Sequence, residues 1–354
     1  MWKQAVRPCL PLLSFRYNWS AYTVLSSKKR WVKSFATDVS VKEDPFWSAP
    51  LKKVLEKHPE TQYAYPDSTT VIECARGLMR DDLSSILVFE NFQEKLRWMG
   101  IVSERDIVRK VAAQGLPVEK TPLKKAYTSR DRVETITFDK TVQDVVDILV
   151  SKDVQNIAVL YQKKHGDVFR EDCYGVLTSR DLATFFLSIP ESDRSFFDQQ
   201  TVKEVLESKG LDRSGDNTVY QIHQSVTVDE GIQKMDDHKV GTLLVTQSES
   251  DRHTIVGLLT ERNYIRKCML QGKSSREMLA SDIMIRDLPC IHLSTKVSQL
   301  LTIFGSMGER SLPVVYQESS IDDMTKVHPD QVVFVSVKEV LSHCLMVRSS
   351  TLSS

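Results

Sequence analysis

Gly100-Ile101-Val102-Ser103-Glu104-Arg105-Asp106 is a seven-residue motif that recurs along the chain. Later copies read GVLTSRD at 175–181 and GLLTERN at 257–263, and a degraded copy, VFVSVKE, occupies 333–339. The hydroxyl residues of the four copies, Ser103, Thr178, Thr260 and Ser336, are separated by 75, 82 and 76 residues. Self-similarity at a nearly fixed period indicates internal duplication. The sequence therefore predicts four copies of one structural unit.

Each copy repeats the same order of predicted elements. A threonine precedes an apolar pattern of helical spacing in every copy, at Thr70, Thr141, Thr227 and Thr295, and threonine is a good helix N-cap. A short apolar strand follows, and the motif forms a further strand whose Ser or Thr caps a second helix. With a short strand before the first helix, each copy reads strand-helix-strand-strand-helix. Because such a unit has one uncovered apolar face, we expect an α+β fold in which the copies form two pairs.

The repeat divides the chain into six segments. Two pairs within one chain can cover the apolar faces that a lone pair would offer to a second chain. We therefore expect a monomer or a weak homodimer. The segments are a transit-like region at 1–37, a leader at 38–59, the first pair at 60–189, a linker with the start of copy three at 190–220, the second pair at 221–347, and a tail at 348–354.

Composition excludes several classes of protein. The 354 residues carry 47 basic and 47 acidic side chains, which argues against a nucleic-acid partner. No apolar window reaches the ~18 residues of a membrane span. The six cysteines form no CxxC and the histidines no ligand spacing, so we expect neither a zinc site nor a disulfide scaffold. GxSxG, Walker and GxGxxG motifs are absent from the sequence, and we expect no enzyme activity.

The first 37 residues differ in charge from the rest of the chain. They contain seven basic residues and no acidic one, which leaves 40 basic and 47 acidic residues in the remainder. A basic, serine-containing, acid-free N-terminus is typical of a mitochondrial transit peptide. We expect targeting to the mitochondrial matrix. The alternative is a basic tail on a cytosolic protein.

The repeated motif and its flanking strands resemble the cystathionine β-synthase (CBS) domain family over about residues 60–346. Copies three and four also resemble the two-copy CBS proteins of bacteria and plant organelles, through segments such as 239–243, 259–267 and 281–284. The resemblance implies two CBS pairs, also called Bateman modules. It also implies that the chain binds an adenosine-containing ligand (AMP, ADP, ATP or S-adenosylmethionine) for regulation rather than as a catalytic cofactor.

The motif has the chemistry for such a ligand. Free amides at a helix start attract an anion, and a carboxylate one turn on can accept hydrogen bonds from ribose hydroxyls. Copies one and two keep the hydroxyl and the acid, so we expect binding to concentrate there. The alternative is that the two aspartates only cap helices. The candidate ligand-binding residues are Ser103, Asp106, Thr178, Asp181, Thr260, Asn263 and Ser336, with Arg266 and Arg310 as phosphate contacts.

Two readings of function remain open at this stage. The first is a non-catalytic regulatory protein that binds an adenine nucleotide and modulates an unidentified mitochondrial protein. The second is a structural or assembly subunit of a mitochondrial complex whose nucleotide sites have degenerated, which the loss of aspartate in copies three and four favours. A four-copy chain also resembles the gamma subunit of AMP-activated protein kinase in layout. The transit-like N-terminal segment and the sequence of copy three argue against that kinase role.

Overall fold

Four small sheets, each flanked by helices, form the part of the chain that can be described. The computed structural model describes residues 44–56, 64–92, 95–165, 168–210, 219–249, 252–316 and 323–352. The transit-like region at 1–37 lies outside these residues. Each sheet begins with a short strand that runs parallel to the second strand, and the second runs antiparallel to the third. The prediction of an α+β fold with four similar units is confirmed.

The first two copies follow a short leading helix, α1. The second helix of copy one, α3, continues as a π-helix over Val108–Ala112, and the sheet of this copy carries a fourth strand. The elements are α1 (Leu51–Glu56), β1 (Ala64–Pro66), α2 (Val71–Arg80), β2 (Ser85–Phe92), β3 (Lys95–Ser103), α3 (Glu104–Ile107), β4 (Thr128–Ser129), β5 (Thr135–Thr137), α4 (Val142–Ser151), β6 (Asn156–His165), β7 (Val168–Thr178) and α5 (Ser179–Phe186).

Two further helices, α6 and α7, precede copy three within the segment 190–220. The last helix of copy four, α12, has 16 residues. The elements are α6 (Ser195–Asp198), α7 (Val202–Ser208), β8 (Gln221–His223), α8 (Val228–Asp237), β9 (Thr242–Glu249), β10 (Arg252–Thr260), α9 (Glu261–Lys267), α10 (Ala280–Ile283), β11 (Ile291–His292), α11 (Val297–Met307), β12 (Ser311–Val315), β13 (Val332–Ser336) and α12 (Val337–Leu352).

Buried side chains connect each copy to two others. The sheets of copies one and two share a cluster around Leu87 and Val176, and copies three and four share one around Leu244 and Val332. The helices pair differently: those of copy one pack with copy three, and those of copy two pack with copy four. Sheet contacts thus build the two pairs, and helix contacts join one pair to the other.

The segment that leads into each copy packs on the other copy of its pair. The segment before copy one contacts the start of α4, and the segment before copy two contacts the start of α2; copies three and four repeat this exchange. Four isolated bridges mark the crossings: Pro50 with Thr141, Thr70 with Pro122, Thr201 with Lys296, and Thr227 with Leu279. These crossings explain the leading glycine of the motif, since a Cβ at Gly257 would lie 2.4 Å from the carbonyl oxygen of Ile285.

Residues 44–49 belong to the core rather than to the surface. Phe46 and Trp47 are fully buried, and both rings contact Phe197 between α6 and the helices of copies two and four. The Val142 amide donates a hydrogen bond to the carbonyl of Ala49. The segment therefore helps to hold copies two and four together.

Candidate functional site

The motif carboxylates of copies one and two are engaged in helix capping. Asp106 accepts hydrogen bonds from the amide and hydroxyl of Ser103, and its second oxygen accepts from Thr128 and lies 2.7 Å from Lys110 Nζ. Asp181 accepts from the amide and hydroxyl of Thr178 at 2.7 and 2.8 Å. Such capping boxes satisfy free amides at a helix start. The hydroxyl and carboxylate thus bond to each other at both positions.

In copy three, the side chains of the predicted ligand-binding residues Thr260, Asn263 and Arg266 have separate partners. Thr260 accepts a hydrogen bond from the Asn263 amide, while the Asn263 side chain donates to the carbonyl of Ile283 at 2.9 Å. Arg266 is half exposed and lies 3.7 Å from Asp82. The Asn263 side chain therefore points to the segment between copies three and four, and Arg266 lies beside Asp82 of copy one.

A cavity of about 390 Å³ opens between copies three and four. It brings together three of the predicted residues, Thr260, Ser336 and Arg310. It also contains Glu339, whose carboxylate accepts from the amide and hydroxyl of Ser336. Ligand pockets commonly have volumes of about 300–1,000 Å³, so this cavity is large enough for a small ligand.

Copy three supplies one wall of the cavity. Tyr220 precedes β8 and stacks on the ring of His238, with ring centroids 4.0 Å apart. Val240, Gly241 and Thr242 continue this wall, and Phe334 of copy four faces the same space. A Cβ at Gly241 would lie 2.9 Å from a carboxylate oxygen of Glu261. This wall therefore combines an aromatic surface with a stretch of backbone that packs closely against the Glu261 side chain.

The inner end of the cavity is charged. Glu104 and Glu261, the residues after the motif hydroxyls of copies one and three, are both buried. Arg262 Nε lies 2.7 Å from Glu104, and Arg105 Nε lies 3.4 Å from Glu261. The two copies thus exchange ion pairs reciprocally, and we refer to these residues with Asp82, Arg180, Glu309 and Arg310 as the central cluster.

Asp82 links three copies within the central cluster. It occupies a left-handed turn after α2, with φ of 53°, and accepts hydrogen bonds from Arg180 of copy two and Arg262 of copy three. Although burial opposes it, these two arginines lower the pKa of Asp82. The same turn position in copy two, Asp153, accepts from Lys338 of copy four. Charged turns and motif arginines therefore join all four copies.

Two groups of the cluster show the effect of burial. Burial raises the pKa of Glu261, against the attraction of its neighbouring arginines. Arg310 Nη2 is buried and makes no hydrogen bond among the described residues; its nearest acid, Glu104, is 3.8 Å away. Because a buried cationic N–H group without a hydrogen bond is costly, Arg310 is suited to receive an anion that enters the cavity.

Sequence reasoning missed most of the central cluster. The signal was present, because an arginine occupies the same motif position in Arg105, Arg180 and Arg262. The positive-φ turns recur at one position per copy, at Asp82, Asp153, Lys239 and Gly308. Neither pattern by itself predicts a cluster, because these residues come together only when α3 packs on α9 and α5 packs on α11.

Other kinds of site receive no support from the part of the chain that the structure describes. None of its helices is both long enough and apolar enough to cross a bilayer. Within the same residues, no group of three His, Cys, Asp or Glu side chains could hold a metal ion. Cys74, Cys268 and Cys344 are buried thiols.

One protein with a similar sequence is named as a CBS domain-containing protein. No protein-family model matches the chain. The CBS domain-containing protein CBSX3, mitochondrial, of Arabidopsis thaliana is 30% identical over 131 residues, which cover 36% of this chain and 62% of the plant protein. The uncharacterized protein MK0525 of Methanopyrus kandleri is 28% identical over 82 residues, 23% of this chain and 40% of that protein. The chain thus spans less than two thirds of either relative.

A solved structure shares the fold over most of the chain. Protein MJ1225 of Methanocaldococcus jannaschii, proposed as an archaeal homolog of g-AMPK, superposes with a TM-score of 0.55 at 13% identity. The match covers 79% of this chain and 95% of MJ1225. Together with the repeated motif, the four sheets and the CBS-domain relative, this match identifies the architecture. The chain has the fold of CBS-domain proteins, with four copies of the strand-helix-strand-strand-helix unit, and part of its sequence is related to a CBS domain-containing protein.

Proposed function

We propose that the chain is a non-catalytic regulatory protein that binds an adenine nucleotide in the cavity between copies three and four. The observation that carries the proposal is the buried Nη2 of Arg310, which makes no hydrogen bond among the described residues and has only a long ion pair, at 3.8 Å, with Glu104. It lies at the inner end of a cavity that is also lined by Thr260 and Ser336. Arginine recognises phosphate with charge-assisted hydrogen bonds. The phosphate of the nucleotide would therefore lie at the inner end of the cavity, beside Arg310.

The remaining walls suit the rest of a nucleotide. Glu339 provides a carboxylate that can accept from ribose hydroxyls, as the motif aspartate was expected to do. Tyr220 and Phe334 offer aromatic surface to a base. The arginines favour AMP, ADP and ATP over S-adenosylmethionine, which has no phosphate. The sequence favoured the first pair. The carboxylates of Asp106, Asp181 and Glu339 all cap their helices, so capping does not separate the pairs, and we propose the second pair because Arg310 lines its cavity.

Replacing Arg310 with glutamine is expected to weaken nucleotide binding by about 10- to 100-fold, because it removes one charge-assisted interaction. Thermal unfolding of the full chain with AMP, ADP, ATP or S-adenosylmethionine measures binding, since a ligand at 100 times its Kd stabilises by about 2.7 kcal/mol. Ser336→Ala provides a milder change in the same cavity. The control is Arg276→Gln, whose side chain is 81% exposed. Equal stabilisation of wild type and both cavity variants would contradict the site.

A mitochondrial location is part of the proposal. The relative CBSX3 is named as mitochondrial, and residues 1–37 have the charge pattern of a transit peptide. We propose the matrix as the compartment and a mitochondrial protein as the partner that the nucleotide-bound form modulates.

A fluorescent protein fused to residues 1–40 is expected to accumulate in mitochondria. The physical reason is that an acid-free basic segment with apolar residues is drawn to the import machinery by charge and amphipathicity. A fusion in which Arg7, Arg16 and Arg30 are changed to glutamate is the control and should remain diffuse. A diffuse signal from the unaltered fusion would contradict the location.

The assembly-subunit reading is the second candidate. It is favoured by the capping of Asp106 and Asp181, whose carboxylates accept hydrogen bonds from the amides and hydroxyls of their own motifs. It predicts no stabilisation by any of the nucleotides in the thermal experiment above. The two candidates are therefore separated by one measurement on the wild-type chain.

A further inference from the structure

The charge balance of the cavity restricts what it can hold. Its lining contains five basic side chains, Arg105, Lys239, Arg262, Arg310 and Lys338, and four acidic ones, Glu104, Glu261, Glu309 and Glu339. Several of the bases are already paired with acids of the protein. The lining therefore has little positive charge to spare for a ligand with many phosphates.

Glu309 lines the cavity beside Arg310, the residue to which we assign the phosphate. It follows the left-handed Gly308 and precedes Arg310 on the turn between α11 and β12. It faces Glu104 from copy one, Arg180 from copy two and Arg262 from copy three, besides its neighbour Arg310. Two carboxylates thus compete with a ligand for the same arginines.

We propose that the glutamates of the central cluster limit the cavity to a ligand with a single phosphate group, and that Glu309 determines this specificity. This inference rests on the nucleotide site proposed above. A single phosphate carries up to two negative charges, and Arg310 together with the N-terminus of α12 can bind a group of that charge. Each further phosphate brings negative charge towards the carboxylates of Glu104 and Glu309, and like charges repel.

The protonation of Glu309 makes the preference for AMP over ATP depend on pH. Burial and the adjacent Glu104 raise the pKa of Glu309 to about 7, while Arg262, Arg180 and Arg310 act in the opposite direction. Below that pH the side chain is neutral, and above it the side chain is an anion. Discrimination against ATP is therefore expected to increase as the pH rises from 6 to 8.

The test is calorimetric titration of AMP and of ATP, without divalent cation, into the full wild-type chain and Glu309→Gln at pH 8. Wild type is expected to bind AMP at least about tenfold more tightly than ATP, and Glu309→Gln should reduce this ratio to near one. Glu277→Gln, at an exposed position, is the control and should keep the wild-type ratio.

If Glu309→Gln does not fold, the inference can be tested on the wild-type chain alone by titrating both nucleotides at pH 6 and pH 8. The ratio of AMP to ATP affinity should increase by several-fold between pH 6 and pH 8. Equal affinities for the two nucleotides, a ratio independent of pH, or an unchanged ratio in Glu309→Gln would overturn the specificity inference while leaving the site in place. Absence of binding by both nucleotides would overturn the proposed site as well.

Discussion

Replacing Arg262 with methionine is expected to lower the free energy of unfolding by about 3–5 kcal/mol. Arg262 is buried and bonds to Asp82, to the carbonyl of Leu83 and, as an ion pair, to Glu104. Although burial works against its charge, Glu104 and Asp82 raise the pKa of Arg262. Methionine fills a similar volume but leaves the buried Glu104 with only the longer ion pair to Arg310, at 3.8 Å, and this poorly paired charge causes the loss.

Urea unfolding followed by circular dichroism measures this change. Arg276→Met is the matched control, because its side chain is 81% exposed and its ion pair with Asp229 is 3.9 Å long; an exposed pair of this kind contributes about 0–1 kcal/mol. The double variant Glu104→Gln with Arg262→Met should recover part of the stability, since it removes the poorly paired charge of Glu104. A loss of the same size in both single variants would contradict a structural role for the central cluster.

Trp47→Ala is expected to destabilise the chain by about 3–5 kcal/mol, the range for removing a large buried aromatic side chain. Trp47 is fully buried and stacks on Phe197 with ring centroids 6.0 Å apart, and its ring lies under Arg348 of α12. The substitution leaves a cavity where the leading segment joins copies two and four.

The comparison for Trp47 is Met346→Ala on α12, because Met346 is 50% exposed and a surface substitution changes stability by about 0.5 kcal/mol or less. Both variants are measured by guanidinium unfolding of the full chain. If Trp47→Ala lost no more stability than Met346→Ala, residues 44–49 would have to lie outside the core.

The repeated motif was sufficient to predict the fold class. Its strand periodicity and its N-capping hydroxyls are local features, and the capping boxes at Ser103 and Thr178 formed as the pattern indicated. The alternative that Asp106 and Asp181 cap helices also came from the sequence, and the observed hydrogen bonds agree with it. Local sequence patterns therefore carried most of the secondary structure.

The arrangement of the copies depended on contacts that no local pattern contains. An apolar helix face in copy one can pack on copy three or on copy four, and only the fit of whole surfaces decides between them. The ion pairs of Glu104 with Arg262 and of Glu261 with Arg105 follow from that choice. The sequence predicted binding in the first pair, and that stays a prediction. Our proposal of the second pair rests on the burial of Arg310 Nη2, which could not be read from its position in the sequence.

A crystal structure of the full chain grown with AMP tests the central claim most directly. The account predicts the nucleotide between copies three and four, with its phosphate within hydrogen-bonding distance of Arg310 and its ribose near Glu339. A nucleotide bound instead between copies one and two, with its ribose on Asp106 or Asp181, would contradict the account.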